Sequence, residues 1–237
     1  MAVPIGVSNR HVHLSPEHVT QLFGTGLTSR RALTQPGQFA ANESVRVEGP
    51  RGALDGMRVV GPARGATQVE LSLADIERLG IAAPIAASGS LGDSVGGLTL
   101  VGPAGKVALA RGVIVSGRHL HLAPDDAARW GLRDGDRLDL RCGDGVRATT
   151  WHGVLVRAGK SHATEFHLDA DEAHACGVRS GDSASIVGVH PKHAVRRALV
   201  TEREVVRLAA AGQAIPAGAL LTPSARDRAR ALGLAGA

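Results

Sequence analysis

Short segments in which apolar and polar residues alternate dominate the first 190 residues of the chain. Alternation with a period of two is typical of strands that bury one face. We predict strands at 44–48, 57–60, 68–71, 98–101, 106–110, 137–141, 154–157, 164–168 and 184–189. Helical periodicity is confined to short stretches such as 73–79 and 170–176, and Gly or Pro separates most segments. The pattern predicts a mainly β fold with short helices.

The chain also contains two copies of one motif at a constant offset without gaps. Residues 7–17 read Val-Ser-Asn-Arg-His-Val-His-Leu-Ser-Pro-Glu, and residues 115–125 read Val-Ser-Gly-Arg-His-Leu-His-Leu-Ala-Pro-Asp. Each copy ends in a Pro-acid pair that begins a predicted helix, which Gly24 or Gly131 then terminates. We infer an internal duplication. It predicts two related small β-barrel domains, residues 1–112 and 113–197, with strand exchange between the halves left open.

The remaining residues, 198–237, have a different pattern. Thr201 and Glu204 have the spacing of a capping box at the start of an amphipathic helix. The sequence Thr-Pro-Ser-Ala-Arg-Asp at 222–227 precedes a final short helix. We assign residues 198–237 to a C-terminal appendage.

Composition narrows the class of protein. Aromatic residues make up only 2% of the 237 residues, so the core must be aliphatic. The net charge of +5 suits an anionic small ligand, whereas the basic stripe or aromatic platform of a nucleic-acid-binding protein is missing. Two cysteines make no disulfide framework, and no apolar run reaches the ~20 residues of a membrane span. We therefore expect a cytosolic protein that binds neither nucleic acid nor membrane.

The repeated histidines are the strongest chemical signal. In an extended segment, residues i and i+2 lie on one face, so His11 and His13 can face one metal ion, and His119 and His121 another. Imidazole nitrogen suits zinc. A lone His-x-His is often incidental, but its duplication favours metal binding by both pairs. The preceding arginines, Arg10 and Arg118, either orient the loop or hold an anion.

Each histidine pair needs further ligands, and strands in the two halves offer candidates. Glu70 lies in one predicted strand, and His167 alternates with Glu165 in another. Arg64 lies in the turn Gly-Pro-Ala-Arg-Gly at 61–65 and suits phosphate recognition, the alternative being a solvated turn residue. The remaining histidines have no comparable support and are expected to be surface or local hydrogen-bonding groups: His18, His152, His162, His174, His190 and His193.

These motifs resemble those of a known family. They are residues 4–15, the segment from Gly-Pro-Ala-Arg at 61–64 to Thr-Gln-Val-Glu at 67–70, Leu-Val-Gly-Pro at 100–103, residues 117–122 and residues 165–173. From about residue 3 to 190 the chain resembles the PduL-type phosphotransacylases, the phosphate propanoyltransferases of bacterial microcompartments.

The resemblance implies two β-barrels with a dinuclear zinc site between them. His11, His13 and Glu70 correspond to ligands of a zinc ion that faces the sulfur of coenzyme A. His119, His121 and His167 correspond to ligands of a second zinc ion, whose coordination is completed by water or phosphate. By the same resemblance Arg64 handles the phosphoryl group. The implied reaction interconverts acyl-CoA plus phosphate with acyl phosphate plus CoA.

The chain departs from the family pattern in two places. Ala86 stands where the family often has Arg, and we expect no N-terminal encapsulation helix because the core begins near residue 3. The appendage resembles a segment of microcompartment-associated enzymes, which implies a microcompartment lumen and contacts with other enzymes or the shell. We also expect a homo-oligomer.

The predicted function is therefore a phosphate acyltransferase that uses two zinc ions per chain and transfers the acyl group directly, because no convincing Cys or Ser nucleophile is visible. Two alternatives stay open. One is a dinuclear zinc hydrolase that uses water on an ester or thioester. The other is a non-catalytic, metal-stabilised scaffold component of a microcompartment.

Overall fold

The computed structural model describes residues 1–192 and 198–234. The chain divides into two compact units, of which one ends at Lys192 and the described part of the other begins at residue 198. His193, the end of the predicted second domain (193–197) and the end of the appendage (235–237) lie outside the described residues. No helix in the described ranges is both long and apolar enough to cross a membrane.

The larger unit consists mainly of short strands. In chain order they are β1 (Ala2–Ser8), β2 (His11–His13), β3 (Ser29–Ala32), β4 (Phe39–Glu48), β5 (Ala53–Gly61), β6 (Gln68–Leu71), β7 (Ile85–Ala86), β8 (Leu98–Val101), β9 (Lys106–Leu109), β10 (Val113–Ser116), β11 (His119–Leu122), β12 (Arg137–Cys142), β13 (Thr149–Ala158), β14 (Glu165–Asp169) and β15 (Ser183–His190). The helices are α1 (Pro16–Phe23), α2 (Leu73–Leu79), α3 (Pro124–Trp130) and α4 (Ala170–Cys176), with a 3-10 turn at Gly145–Arg147. The predicted mainly β fold with short helices is confirmed.

These strands form one closed barrel and one open sheet. The barrel has the order β1-β14-β11-β13-β12-β15. The open sheet has nine strands in the order β7-β10-β6-β2-β5-β4-β8-β9, with β3 beside β4. The first half of the chain thus builds a sheet that stays open, whereas the second half closes into a barrel. An origin by duplication stays a prediction.

Two strands cross between the halves. β1 lies in the barrel, parallel to β14, and β10 lies in the open sheet, parallel to β6. Each buries its apolar side chains in the core of the sheet that it joins: Val3 and Ile5 in the barrel, Val113 and Val115 in the open sheet. The strand exchange that the sequence left open is therefore present, and the predicted boundary at residue 112 is crossed by both strands.

Both cores are almost entirely aliphatic, as the low aromatic content predicts. Phe166, in the barrel, is the only aromatic side chain among the buried members of either core. The predicted helix signals also form: Ser15 caps α1, and Gly24 ends it in the left-handed conformation with a φ of 70°. Gly131 ends α3 in the same way.

The smaller unit contains β16 (Leu199–Val200), α5 (Glu202–Ala210), β17 (Leu220–Leu221) and α6 (Pro223–Ala231). The two short strands are parallel, and a small core forms around Val200, Val205 and Leu208. Thr201 precedes α5 as predicted, but its side chain makes no capping hydrogen bond. Thr222 does cap α6, accepting from the backbone N–H of Ala225 at 3.2 Å.

A substitution in the β8–β9 turn can test how tightly the open sheet packs on α1. A Cβ at Gly102 would lie 2.3 Å from the backbone oxygen of Leu22, whereas a Cβ at Gly26 meets open space. We expect Gly102→Ala to lower the free energy of unfolding by about 1–3 kcal/mol because backbone must shift to admit the methyl group. Gly26→Ala, the matched control, should change it by less than about 0.5 kcal/mol. Urea denaturation measures both, and equal values for the two variants would contradict the packing described.

Candidate metal centre

Each histidine pair lies on a short strand that has neighbours on both sides. β2 is parallel to β5 and antiparallel to β6, and β11 is parallel to β13 and antiparallel to β14. In these registers His11 lies opposite Glu70, and His119 lies opposite His167. Side chains that lie opposite one another project from the same face of a sheet. The strand pairing therefore brings a third candidate ligand to each histidine pair.

The first set of donor atoms converges closely. His11 Nε2 lies 3.2 Å from His13 Nε2, and Glu70 Oε1 lies 3.5 Å and 3.7 Å from these two atoms. Within the described ranges, this is the only group of three or more His, Cys, Asp or Glu donors that all lie within 4.8 Å of one another. The Nδ1 atoms of His11 and His13 lie 2.8 Å and 3.1 Å from the carbonyl oxygens of Asn9 and Val60. Each Nδ1 can donate to its carbonyl, which leaves Nε2 for a ligand.

The charge states of the side chains in this first set favour binding of a cation. Burial and the positive charges of His11 and Arg64 lower the pKa of His13 to about 3, so its ring is neutral. Burial alone would raise the pKa of Glu70, but His11 and His13 hold it well below its ordinary value. Burial likewise opposes the charged form of His11, yet the Glu70 carboxylate raises its pKa. An ionised carboxylate beside the neutral imidazole of His13 is donor chemistry that suits zinc, and His11 would release its proton when a metal ion binds.

The second set is more open. His119 Nε2 lies 3.1 Å from His121 Nε2, and the His167 ring centroid lies 5.1 Å from each of their ring centroids. His167 Nε2 lies 2.9 Å from a carboxylate oxygen of Glu165. Burial, reinforced by neighbouring histidines, lowers the pKa of His119 to about 4 and that of His121 to about 2. Both rings are neutral and their Nε2 atoms converge, so this set also fits a divalent metal.

A buried hydrogen-bond network orients Glu70. Ser116 Oγ donates to Glu70 Oε2 at 2.9 Å, and the Gln68 amide donates to Oε1. The same amide donates to Ser88 Oγ at 3.0 Å, and Arg64 Nη1 donates to that hydroxyl at 3.2 Å. Ser88 thus joins Arg64 to the strand that carries Glu70. Sequence patterns did not single out Gln68, Ser88 or Ser116, because their role depends on which strands pair.

Contacts in the structure favour one of the two roles predicted for the motif arginines, Arg10 and Arg118. Arg10 forms an ion pair with Asp75, which belongs to the capping box of α2. Arg118 forms one at 2.9 Å with Glu172, which belongs to the capping box of α4. The helices α2 and α4 directly follow the strands that carry Glu70 and His167. These ion pairs favour the loop-orienting role for both arginines.

Both donor sets face one cavity of about 430 Å³. Its lining contains every predicted site residue: His11, His13, Arg64, Glu70, His119, His121 and His167. It also contains Arg157 and His162, which the sequence had not placed in the site. The His162 ring lies 4.2 Å, centroid to centroid, from that of His121. His162 lies in a turn without a local motif, so only the folded chain reveals its place.

Comparisons with known proteins identify the family of the chain. The sequence model of the family described as phosphate propanoyltransferase matches residues 4–179. A phosphate propanoyltransferase of Rhodopseudomonas palustris is 47% identical over 186 residues, which cover 78% of this chain and 81% of that protein. One of Rhodobacter capsulatus is 48% identical over 180 residues, covering 75% and 83%, and one of Thermotoga maritima is 44% identical over 185 residues, covering 77% and 88%. The chain therefore belongs to the phosphate propanoyltransferases, a family of acyltransferase enzymes.

Proposed function

We propose that this protein moves a short acyl group directly between the sulfur of coenzyme A and an oxygen of phosphate, at a site that holds two zinc ions. In the forward direction the thioester C–S bond breaks, a C–O bond to phosphate forms, and free CoA and acyl phosphate leave. The observation that carries the proposal is that both histidine sets and Arg64 line the same cavity.

The donor sets suggest how the metals would be held. His11, His13 and Glu70 would hold one ion, and His119, His121 and His167 the other. Zinc supplies Lewis acidity towards a thiol or an acyl oxygen when it is bound. Ser116 and Gln68 keep both oxygens of Glu70 in fixed directions, which orients that carboxylate for its ligand role.

Arg64 would act on the phosphoryl group. Its guanidinium is half-buried in the cavity and is tethered to Ser88. A guanidinium fixed in this way presents two parallel N–H groups to phosphate oxygens. It would offset the negative charge of the attacking phosphate in the forward direction and the charge that builds up on the leaving phosphate in the reverse direction.

Direct transfer is supported by the surroundings of the candidate nucleophiles. Cys142 and Cys176 lie in the barrel core and not in the cavity lining, and burial, together with Cys176, raises the pKa of Cys142 to about 12. Ser88, in the cavity, accepts hydrogen bonds from Arg64 and Gln68, which gives its oxygen no base. An acyl-enzyme on these side chains is therefore disfavoured.

The reaction can be tested directly with metal-loaded protein and propionyl- or acetyl-CoA. We expect release of free thiol that requires phosphate, with acyl phosphate as the second product, trapped as its hydroxamate. A dinuclear zinc hydrolase would instead release thiol and free acid without phosphate. A non-catalytic scaffold would release none, and either result would refute the proposal.

The ligand assignment can be tested with His119→Ala. We expect this variant to lose activity by at least about 100-fold and to lose bound zinc, because an imidazole donor is removed. His174→Ala, on the exposed face of α4, is the control and should retain both activity and zinc. Elemental analysis of the purified proteins measures the zinc, and a zinc content in His119→Ala equal to that of the unaltered protein would refute the assignment.

We also propose that the enzyme works inside a bacterial microcompartment and that its second unit docks to enzymes or shell proteins there. The support is that residues 198–234 form a separate unit whose Leu199 and Leu220 are 63% and 50% exposed. Deletion of residues 198–237 should leave acyl transfer unchanged but abolish co-purification of microcompartment proteins. Unchanged co-purification would contradict docking through this unit.

A further inference from the structure

Arg157 faces the same cavity as Arg64 but comes from the other sheet. It lies on β13, where Val154 and Val156 are fully buried in the barrel core. Successive side chains of a strand point to opposite faces, so Arg157 points away from that core. Its register partner on β11 is His121, whose side chain shares its face. The half-buried guanidinium therefore lies beside the second donor set.

The Arg157 guanidinium has no direct ion-pair partner among the described residues. Over the ranges that the structure describes, neither Arg157 nor Arg64 has a carboxylate within 4.0 Å. By contrast, Arg10 and Arg118 both have one. After burial, the charge of Arg157 contributes to lowering the pKa of Arg64, His119, His121 and His162. Two like charges that face one cavity, neither of them in direct contact with a carboxylate, favour a multiply charged anion between them.

We propose that Arg157 is a second phosphate-binding residue, which holds the phosphoryl group of phosphate or acyl phosphate together with Arg64. This inference rests on the function proposed above. Inorganic phosphate and the phosphates of CoA share the chemistry that a guanidinium recognises. The acceptor phosphate is favoured because Arg157 is half-buried beside His121, whereas Arg31 and Arg58, which also line the cavity, are exposed.

The arrangement divides the binding of phosphate between the two sheets. Arg64 approaches from the open sheet and Arg157 from the barrel, so the anion would be held only where both reach it. Guanidinium groups that are fixed in advance stabilise developing negative charge without reorganising. Arg157 takes part in no proton transfer or covalent step. Its role is to bind phosphate and to limit the reaction to a dianionic acceptor.

Steady-state kinetics of Arg157→Gln in the metal-loaded enzyme tests this role. We expect kcat/KM for phosphate to fall by about 100-fold or more, as for loss of a preorganised charge, with KM for acyl-CoA nearly unchanged. Arg157→Lys should retain part of the phosphate affinity because it keeps the charge. Arg141→Gln, at an exposed position of β12 in the same barrel and outside the cavity lining, is the matched control and should behave like the unaltered enzyme. A rise in KM for acyl-CoA rather than for phosphate would assign Arg157 to CoA and overturn the inference.

A binding measurement separates this inference from the proposed function. Inorganic phosphate alone should raise the melting temperature of the unaltered protein and of Arg141→Gln, but not that of Arg157→Gln. The melting temperature of each variant without phosphate reports whether that variant folds. Arg157→Lys, which keeps the charge, provides a second variant for the same comparison. If the unaltered enzyme is active and Arg157→Gln has the same kinetics and the same response to phosphate, the inference about Arg157 is wrong but the proposed function stands. If the unaltered enzyme shows no phosphate-dependent thiol release, the proposed function fails, and the phosphate response still decides whether Arg157 binds the anion.

Discussion

The site depends on the central position of the two strands that carry the histidines. β2 has three residues and β11 four, yet each is hydrogen-bonded to a parallel strand on one side and an antiparallel strand on the other. Val12, Leu120 and Leu122 are fully buried in the cores. A slip of one residue would turn the imidazoles into those cores and the apolar side chains into the cavity. Apolar packing on one face therefore fixes the direction of the donor atoms on the other.

The two sheets share this arrangement but differ in the third candidate ligand, which is a carboxylate in one sheet and an imidazole in the other. The strand that carries the third candidate ligand also carries a polar residue two positions earlier: Gln68 before Glu70, and Glu165 before His167. The carboxylate ligand thus has a donor beside it, and the imidazole ligand has a carboxylate beside it. Each neighbour complements the hydrogen-bonding character of its ligand. The exchanged strands β1 and β10 pair with these same ligand-bearing strands, β14 and β6 respectively.

Local sequence patterns predicted most of the strands and helices and the candidate metal ligands. β6, α2 and α4 match their predicted ranges, because alternation and helix boundary residues are local signals. The exchange of β1 and β10 was not predicted, since pairing between strands that are 161 residues apart (Ile5 with Phe166) or 44 residues apart (Val113 with Val69) leaves no local pattern. Arg157, His162 and Ser88 were missed for the same reason: each gains its role from a neighbour brought by the topology. The sequence pattern also left two possible roles for Arg10 and Arg118, and their contacts with helix-capping residues favour the loop-orienting one.

The central claim is that two donor sets, one ending in a carboxylate and one in an imidazole, hold two metal ions in one cavity. Anomalous diffraction from crystals of zinc-loaded protein, measured on both sides of the zinc absorption edge, tests it most directly. We predict two zinc peaks per chain, one bounded by His11, His13 and Glu70 and the other by His119, His121 and His167. A single peak, or peaks away from these side chains, would contradict the claim.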